Sequence, residues 1–414
     1  MHPGIFGNLQ ILQQYYRKKG RYSQGPLRMS KLKNRPLVVG AGFSGAVLAR
    51  ELAEAGYESL VIDRRDHAGG NCHTRRDDET GVMEHVYGPH IFNTDDEAVW
   101  NYIRRFCEMG PFINRVKAST PRGVFSMPIN LMTINQFFGK RFSPLEARAF
   151  VTAMGDTSIK EPANFEEQAM KFLGRDIYEE FFYGYTRKQW GCEPRELPAS
   201  ILKRLPVRFS YDDNYYNTKY QGIPTEGYST LIARILDHPN IDLKLNTAWD
   251  PSMRDEFAEV FFTGPIDAFY AYRHGRLGYR TVFWEKKTED GDFQGNAVIN
   301  YPGMDVPFTR IHEHKHFTPW EKHEKTIVFT EYSKETGCDD PPYYPKRLAG
   351  DLSMLARYRE EAERDDGIFF LGRLATYRYM DMDDVIAEAL EFAGRYLIWK
   401  RGGSVKRPVF SGDE

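Results

Sequence analysis

Several features are missing from this sequence of 414 residues, and each absence excludes a class of protein. No apolar run is long enough to span a bilayer, so no membrane-spanning helix is predicted. The four cysteines lie far apart and form no CxxC pair, which argues against a disulfide framework and favours reduced thiols in a cytoplasmic protein. The formal net charge is −2, so no strong field selects a nucleic acid or an anionic membrane surface.

The N-terminal segment differs in composition from the rest of the chain. Residues 1–28 are polar, rich in Gln and Tyr, basic at residues 17–19, and without the apolar core of a signal peptide. Met29 stands where a natural start would fit. We therefore expect residues 1–34 to be a disordered leader or extension outside the fold.

The clearest local pattern is a strand, turn, helix and second strand in residues 36–63. A buried parallel strand is predicted at 36–39, and the turn GAGFSG at 40–45 leads into a helix with apolar residues at helical spacing. Gly40 permits the tight turn, Gly42 lets the backbone approach a pyrophosphate, and Gly45 lets helix and strand pack closely. Asp63, at the end of the second strand, can accept from ribose hydroxyls. The pattern predicts dinucleotide binding, with a plain glycine-rich turn as the alternative.

The dinucleotide is predicted to be FAD rather than NAD. Residues 64–71, RRDHAGGN, resemble the Gly-Gly extension of the large FAD-binding family that includes amine oxidases and desaturases. The sequence holds no second GxGxxG flanked by a strand and a helix, so no built-in nicotinamide domain is predicted. An external reductant such as NAD(P)H is therefore expected.

The pattern downstream changes from helical to strand-like. Helix starts are predicted at Ser143, where Pro and Glu146 complete a capping motif, at Asn164 with Glu167, and at Asp176, and a short helix is predicted at 199–205. From about residue 207 to 334 the period changes toward two, which predicts an antiparallel sheet with strands at 280–284, 297–300 and 326–331. Residues 259–265 and 367–373 read as strands that return to the dinucleotide fold, followed by a helix from Asp381.

These patterns predict an α/β protein with a Rossmann-like FAD-binding domain, an inserted helical bundle and an antiparallel β-sheet domain. The FAD-binding domain is placed at 35–115, 225–265 and 340–400. The helical domain is placed at 130–206 and the sheet domain at 116–129, 207–224 and 266–339. Residues 401–414 are expected to form a frayed polar tail.

A set of motifs in a fixed order resembles the UDP-galactopyranose mutase family across nearly the whole chain after residue 35. The motifs are GPHIF at 88–92, FFYGYTRKQWG at 181–191, TRIHEHKHF at 309–317, PYYP at 342–345 and GRLATYRYMDM at 372–382. The resemblance implies an FAD domain, a helical domain and a six-stranded antiparallel sheet, usually as a homodimer. It also implies a substrate cleft over the flavin and a mobile loop beside Trp190.

The resemblance further implies interconversion of UDP-galactopyranose and UDP-galactofuranose, a building unit of cell wall polysaccharides. In this family N5 of reduced FAD forms a covalent adduct with the sugar's anomeric carbon, and no net redox occurs. The protein contributes positioning, phosphate binding and water exclusion.

Motif matching assigns site residues by their expected partner. The uracil is assigned to Phe181, Tyr185 and Tyr215, although core packing is the alternative for the first two. The diphosphate is assigned to Arg204 and Arg310, with Arg280 near the cleft. The sugar is assigned to Asn114, Thr186, Trp190, Asn300, Tyr344, Tyr379 and Asp381. Tyr344 and Tyr379 could instead be buried tyrosines whose hydroxyls are hydrogen-bonded within the protein. His90 is expected near the isoalloxazine, and with Arg204 and Arg310 it completes the predicted catalytic set. Cofactor contacts are assigned to Gly40, Gly42, Phe43, Ser44, Gly45, Asp63, Arg64, Gly70, Asn71, His90, Gly372, Arg373, Asp381 and Met382.

Two positions depart from the family pattern. Asn93 stands where the family often has a second histidine, and Asp63 stands where FAD binders more often have Glu. A flavin oxidase or desaturase of the same superfamily remains the main alternative function, and a nonenzymatic nucleotide-sugar or flavin-binding protein is another. The oxidase or desaturase does not explain Arg204 and Arg310 within their motifs, because an amine or a polyene needs no diphosphate site. The binding protein would use the same motifs, and activity with reduced flavin distinguishes it from the enzyme.

Overall fold

The chain divides into two units. The segments predicted for the dinucleotide fold, at 36–63, 259–265 and 367–373, all belong to the first unit. A computed structural model describes residues 35–199, 201 and 207–412. The first unit contains the described residues up to Gly110, Lys219–Gly278 and the chain from Ala349 onward. The second contains Pro111–Thr218 and Tyr279–Leu348. The chain therefore leaves the first unit twice and returns to it twice.

A five-stranded parallel sheet forms the centre of the first unit. Its strands, in spatial order, are Ile241–Lys244, Ser59–Ile62, Leu37–Val39, Val260–Phe262 and Ile368–Phe370. Four of these strands are completely buried, which is why they read as continuous apolar runs instead of alternating patterns. The segments predicted at 259–265 and 367–373 to return to the dinucleotide fold do join this sheet, since Val260–Phe262 pairs with Leu37–Val39 and Ile368–Phe370 pairs with Val260–Phe262.

Helices and short sheets complete the first unit. Its helices are Phe43–Glu54, Glu97–Arg104, Tyr228–Leu236, Ile266–Phe269, Ala349–Arg364 and Met382–Lys400. Single 3-10 turns occur at Gly70–Cys72 and Pro251–Glu256. Two small antiparallel sheets join Thr74–Arg76 with Met83–His85, and Tyr220–Pro224 with Phe92–Thr94 and Met109–Gly110. The helix Met382–Lys400 packs against Phe43–Glu54, so the predicted C-terminal helix is part of the same layer.

The second unit is built on a seven-stranded sheet. Its strands, in spatial order, are Tyr344–Pro345, Tyr279–Asp290, Lys325–Glu335, Arg310–Glu313, Val298–Asn300, Val116–Thr120 and Gly123–Met127. The resemblance implied six antiparallel strands, but the structure has seven, and Val298–Asn300 pairs in parallel with Val116–Thr120. The parallel pair is where a strand from the chain's first passage through this unit meets one from its second passage.

Two helices of the second unit begin at the predicted capping residues Ser143 and Asn164, whereas the helix predicted from Asp176 begins at Arg175 with Gly174 as its N-cap. The described helices of this unit are Leu131–Phe138, Pro144–Met154, Phe165–Leu173, Arg175–Ile177 and Gly184–Trp190, with a π-helical turn at Tyr178–Tyr183 and 3-10 turns at Pro194–Glu196 and His314–Phe317. Ser143 and Glu146 form the predicted capping box, and Asn164 Oδ1 accepts from the Glu167 amide at 2.9 Å. The predicted leader at 1–34 lies outside the described residues. So does most of the predicted helix at 199–205, of which only residues 199 and 201 are described.

Some predicted boundaries differ from the structure. Strand Tyr220–Pro224 and residues 266–278 belong to the first unit, and Tyr344–Pro345 belongs to the second, because pairing with distant strands decides sheet membership. The predicted frayed tail is also wrong for residues 408–411, which are buried. Phe410 is fully buried and its ring stacks on Phe370 with centroids 5.4 Å apart, since an apolar pair at 409–410 can return to the sheet.

None of the helices in the described part of the chain combines the length and the apolar character that crossing a membrane would require.

Candidate active site

The glycine-rich turn of the first unit contains three glycines with different roles. The fold requires Gly40 and Gly45, whereas Gly42 leaves open space. Gly40 has a φ of +106°, and a Cβ there would lie 2.0 Å from Thr263 Oγ1. A Cβ on Gly45 would lie 2.0 Å from the Gly40 carbonyl oxygen. A Cβ on Gly42 would meet only the Gly70 Cα, at 3.8 Å. The side-chain space at Gly42 is therefore available to an approaching ligand.

The N-terminus of the helix Phe43–Glu54 has the electrostatics of an anion site. Its N-cap is Gly42, which provides no side-chain cap, and its first turn holds no acidic residue. The positive end of the helix dipole is consequently not compensated by the chain's own side chains there. Phe43 and Ser44, both buried, form this first turn as predicted.

Asp63 holds the glycine-rich turn in place. Its Oδ2 accepts from the Ala41 amide at 2.8 Å, and its Oδ1 accepts from the Arg65 amide at 2.9 Å. A carboxylate has about four lone-pair sites, so both oxygens retain capacity for a ribose hydroxyl. The side chain therefore orients the turn and still fits the predicted ribose contact.

A second turn approaches the same helix N-terminus. Gly372 has a φ of +84°, and a Cβ there would lie 2.1 Å from Ser44 Oγ, so this position favours glycine both for conformation and for space. Arg373 Nη1 donates to the Met380 carbonyl at 3.4 Å, just before the helix that begins at Met382. Asp381 caps that helix through a reciprocal capping box with Asp384. The uncapped N-terminus of the helix Phe43–Glu54 thus lies beside two turns, at 40–45 and at Gly372, that carry no obstructing side chain. This arrangement fits a bound dinucleotide.

The remaining predicted cofactor residues differ in their surroundings. Asn71 Oδ1 accepts from Arg65 Nη2 at 2.8 Å, whereas Arg64 is exposed. His90 Nδ1 lies 2.8 Å from the Gly88 carbonyl oxygen, and its backbone amide donates to His85 Nδ1 at 3.2 Å. His90 is thus fixed in its loop by backbone contacts.

A histidine pair beside the Gly-Gly segment was not predicted. The rings of His67 and His73 stack with centroids 3.7 Å apart, and the Tyr87 hydroxyl lies 2.8 Å from His67 Nε2. The Arg65 guanidinium lies over the Tyr87 ring at 4.2 Å. Burial and the neighbouring His67 lower the pKa of His73 to about 3, so this ring is neutral at physiological pH. No spacing rule in the sequence brings residues 67, 73 and 87 together.

In the second unit, side chains of neighbouring strands form a polar row consisting of Asn300, Arg310 and Glu331. Arg310 is the register partner of both other residues, so all three project to one face of the sheet. Arg310 Nε donates to Glu331 Oε1 at 2.7 Å, and Thr309 Oγ1 donates to the same oxygen at 3.1 Å. His312 Nε2 lies 3.1 Å from Glu331 Oε2.

The charges of the polar row are strongly coupled. Burial alone would raise the pKa of Glu331, but Arg310 and His312 outweigh it and hold this pKa at about 2. Burial opposes the charge of Arg310, yet Glu331 raises the pKa of its guanidinium well above the ordinary value. Within the described residues, the two terminal nitrogens of Arg310 make no hydrogen bond, so the fork that suits a phosphate remains available.

Predicted substrate residues of the second unit surround this row. Burial raises the pKa of the Tyr185 phenol. Glu331, Tyr215 and Tyr344 raise it further, whereas the charge of Arg310 lowers it, so all of these groups lie near Tyr185. The Tyr215 amide donates to the Asn114 carbonyl at 2.8 Å. Asn114 is buried, and its Oδ1 has no hydrogen-bond partner in the described part of the chain. A buried acceptor of this kind fits a polar ligand.

The other predicted site residues are distributed over both units. Thr186 is buried and Trp190 partly buried on the helix Gly184–Trp190, which also carries Tyr185. Tyr379 and Asp381 belong to the first unit. Arg204, the other predicted phosphate ligand, lies outside the described residues.

Two predicted substrate residues make structural contacts, and their substrate roles stay predictions. Phe181 is in the π-helical turn and meets Phe125 and Phe137 edge-on, each with centroids 5.2 Å apart, which is the packing alternative. Arg280 is buried, and its guanidinium donates to the Gln189 carbonyl, Ser333 and Glu335. It holds the C-terminal carbonyls of the helix Gly184–Trp190, so the structure gives it a supporting role.

Glu331 was missed by sequence reasoning although a signal was present. It stands at the end of the predicted strand at 326–331, where Ile327, Val328 and Phe329 place apolar side chains on both faces of the strand. A carboxylate in a strand buried on both faces requires a cationic or hydrogen-bonding partner. Its partner is on a neighbouring strand, so it becomes visible only once the strand register is known.

We expect Glu331→Gln to lower the free energy of unfolding by about 3 kcal/mol near neutral pH, because it leaves the partly buried Arg310 without its counter-charge. The depressed pKa of Glu331 stabilises the fold above the ordinary value of 4.5, and this contribution is lost as pH falls toward about 2. Urea denaturation at pH 7 and pH 3.5 tests both statements. Glu285→Gln, at an exposed position of the adjacent strand, is the matched control and should change stability by less than about 0.5 kcal/mol. An equal effect in both variants would contradict the assignment.

Comparison with known proteins gives consistent results. A family profile described as UDP-galactopyranose mutase matches residues 180–379, and one described as an NAD(P)-binding Rossmann-like domain matches residues 38–106. The chain is 58% identical to a probable UDP-galactopyranose mutase of Klebsiella pneumoniae, over 87% of this chain and 94% of that protein. It is 49% identical to a dTDP-fucopyranose mutase of Escherichia coli, over 88% of this chain and 98% of that one.

Among solved structures, the fold is similar to a reduced UDP-galactopyranose mutase, with a TM-score of 0.69 and 15% identity over 89% of this chain and 96% of that chain. At this level of identity the similarity concerns the fold alone. It agrees with a Rossmann-like unit accompanied by a mostly antiparallel sheet.

Proposed function

Because the chain belongs to the UDP-galactopyranose mutase family, we propose that it interconverts UDP-galactopyranose and UDP-galactofuranose as an intramolecular transferase with no net redox. The observation that carries the proposal is the polar row, in which a buried carboxylate orients Arg310 and leaves its guanidinium fork for a diphosphate. An amine or polyene substrate of a flavin oxidase would need no such diphosphate site.

The cofactor is proposed to be FAD in its reduced form. The open space at Gly42, the uncapped helix N-terminus and the carboxylate of Asp63 fit the pyrophosphate and ribose of a dinucleotide. The Gly-Gly segment beside Gly42 favours a flavin dinucleotide over NAD. When bound, a reduced flavin supplies a nitrogen nucleophile for the anomeric carbon of the sugar. NAD(P)H as external reductant and a homodimeric assembly are part of the same proposal.

The chain's own residues are proposed to bind and orient the nucleotide sugar. Arg310, with Arg204 as the second predicted ligand, binds the diphosphate and stabilises the charge that develops as UDP leaves. Tyr185 and Tyr215 provide ring surfaces for the uracil. The raised pKa of Tyr185 keeps its hydroxyl protonated, so it remains a hydrogen-bond donor over the physiological range.

Sugar contacts are proposed for Asn300 of the polar row and for Tyr344, whose strand lies at the sheet edge beside Arg280. Thr186, Trp190, Tyr379, Asp381 and the buried amide of Asn114 complete the proposed set. His90 is proposed to lie near the flavin ring, where its fixed loop geometry would orient the imidazole.

One observation supports a second candidate substrate, a dTDP-sugar. The relative from Escherichia coli that is 49% identical is a dTDP-fucopyranose mutase, whose substrate differs in both the nucleotide and the sugar. The same guanidinium fork would bind either diphosphate. We propose UDP-galactose as the preferred substrate because the relative named for it is more similar, 58% against 49% identical, over a nearly equal share of the chain.

The test is a conversion assay with a redox control. The purified flavoprotein is reduced with dithionite, UDP-galactofuranose is added, and UDP-galactopyranose is sought by chromatography, with an oxidised sample and a parallel dTDP-fucofuranose reaction. Conversion only in the reduced sample would support the mutase. A higher kcat/KM for the dTDP-sugar would reassign the substrate, and no conversion of either would favour the oxidase alternative.

A further inference from the structure

Lys188 makes an unusual set of contacts for a lysine. Its Nζ donates to the backbone carbonyl oxygens of Tyr301 and Gly303, both at 2.6 Å, and of Phe308 and Val306, at 2.8 Å and 3.1 Å. An ammonium group has only three hydrogens, so these four carbonyls use its entire donor capacity. Lys188 is not among the residues proposed above to bind the substrate.

The four carbonyls belong to one connection, the loop 301–308. This loop joins the strand Val298–Asn300 to the strand Arg310–Glu313, so it is flanked by two members of the polar row. Phe308 also packs on Tyr301 with ring centroids 4.8 Å apart. The loop is therefore closed on itself, with the ammonium of Lys188 at its centre.

An independent contact fixes the same helix to the same loop. A Cβ on Gly184 would lie 2.3 Å from the Pro302 carbonyl oxygen and 3.1 Å from Met304 Cγ. Gly184 precedes Lys188 by four residues, so both lie on one face of the helix Gly184–Trp190. The helix backbone thus rests directly on the loop at one turn, and the ammonium holds the loop at the next.

We propose that Lys188 is a positioning residue for nucleotide-sugar binding. Its ammonium fixes the loop 301–308 to the helix Gly184–Trp190 and so sets Tyr185 of the helix relative to Arg310 at the end of the loop. The inference rests on the proposed function, in which these two residues bind the uracil and the diphosphate. Lys188 acts through the loop and contacts neither group itself.

The protonation state of Lys188 gives the inference a pH dependence. Burial lowers the pKa of its ammonium to about 8, and Asp305 of the loop opposes this shift. On its own helix the neighbouring charge, Arg187, is paired with Glu193 at 3.1 Å. The ammonium is therefore present below about pH 8 and is lost as pH rises through that value, which removes one hydrogen-bond donor from the loop.

The first experiment replaces the lysine and attempts to restore its ammonium. Lys188→Ala should raise the Kd for UDP and the KM for the nucleotide sugar about tenfold, since hydrogen bonds to a charged group are lost. Added ammonium or methylammonium chloride should restore UDP binding saturably, whereas tetramethylammonium chloride at equal ionic strength should not, because it has no N–H donor. Lys171→Ala is the matched control, as Lys171 also donates from a helix of this unit to a backbone carbonyl, that of Lys160, but far in the sequence from the loop.

Two further measurements keep the inference testable if the alanine variant folds poorly. Hydrogen exchange of the loop amides at 301–308 should be about tenfold faster in Lys188→Met than in the wild type, whether or not UDP binds. The UDP affinity of the wild type should weaken above pH 8, and Lys188→Met should show no such step. Unchanged loop exchange and unchanged UDP affinity in the variants would overturn the inference. Conversion by the wild type is measured alongside, so its failure would be assigned to the proposed function and not to Lys188.

Discussion

Arg310→Ala is expected to lower kcat/KM for the nucleotide sugar by at least about a hundredfold while the flavin remains bound. Removing one partner of a desolvated charge pair costs about 2–5 kcal/mol, and each 1.4 kcal/mol is a factor of ten. The guanidinium is the group on which the diphosphate proposal depends, because its terminal nitrogens make no hydrogen bond within the described residues. Steady-state kinetics, UDP binding and the flavin absorbance of the purified variant are the measurements.

A control is needed because Arg310→Ala also leaves the carboxylate of Glu331 buried without its counter-charge. That defect alone would lower the free energy of unfolding by about 3–5 kcal/mol. The double variant Arg310→Ala/Glu331→Gln should recover much of this stability but none of the activity, since the neutral amide cannot bind a diphosphate. Recovery of activity in the double variant, or loss of flavin from the single variant, would count against the role of Arg310.

Gly42→Val should abolish flavin binding while the apoprotein still folds. Gly42 has an extended backbone with φ −80°, and its Cβ would meet nothing closer than the Gly70 Cα at 3.8 Å, so the chain itself leaves room for a Cβ there. The added methyl groups would fill the space through which a pyrophosphate reaches the helix N-terminus. We expect a folded, colourless protein whose Tm equals that of the wild-type apoprotein, because bound ligand contributes its own stabilisation.

The matched control for Gly42→Val is Gly45→Ala. Its Cβ would lie 2.0 Å from the Gly40 carbonyl oxygen, so this smaller substitution should destabilise the apoprotein itself. Absorbance spectra and thermal unfolding of both apoproteins separate a ligand-site effect from a folding effect. A fully yellow Gly42→Val protein would place the dinucleotide elsewhere.

Local patterns explain why much of the fold could be predicted. The turn at 40–45 and the strand that ends before Asp63 formed as predicted, since glycine spacing and a continuous apolar run are dictated by neighbours in the chain. The capping box at Ser143 and Glu146 formed for the same reason. The number of strands in the second sheet could not be read in this way, because its parallel pair joins residues from separate passages of the chain.

The predicted site residues divide along similar lines. Arg310 was found through its motif, and the structure adds the carboxylate that orients it. Phe181 belongs to an equally specific motif, whereas Arg280 was matched outside the quoted motifs, and both contact other parts of the protein. A motif records which residue type is present and not what that residue contacts. The role assigned to Arg204 stays a prediction, as this residue lies outside the described part of the chain.

The sequence by itself determined the glycine-rich turn, the order of the motifs and hence the family, because each depends on residue type at fixed short spacing. Only the tertiary structure decided that Glu331 is the partner of Arg310 and that Lys188 holds the loop 301–308. The first contact requires the register of two strands 21 positions apart in the chain, and the second joins a helix to carbonyls more than 110 residues away. Backbone carbonyls are the same in every residue, so no sequence pattern could identify those that Lys188 binds.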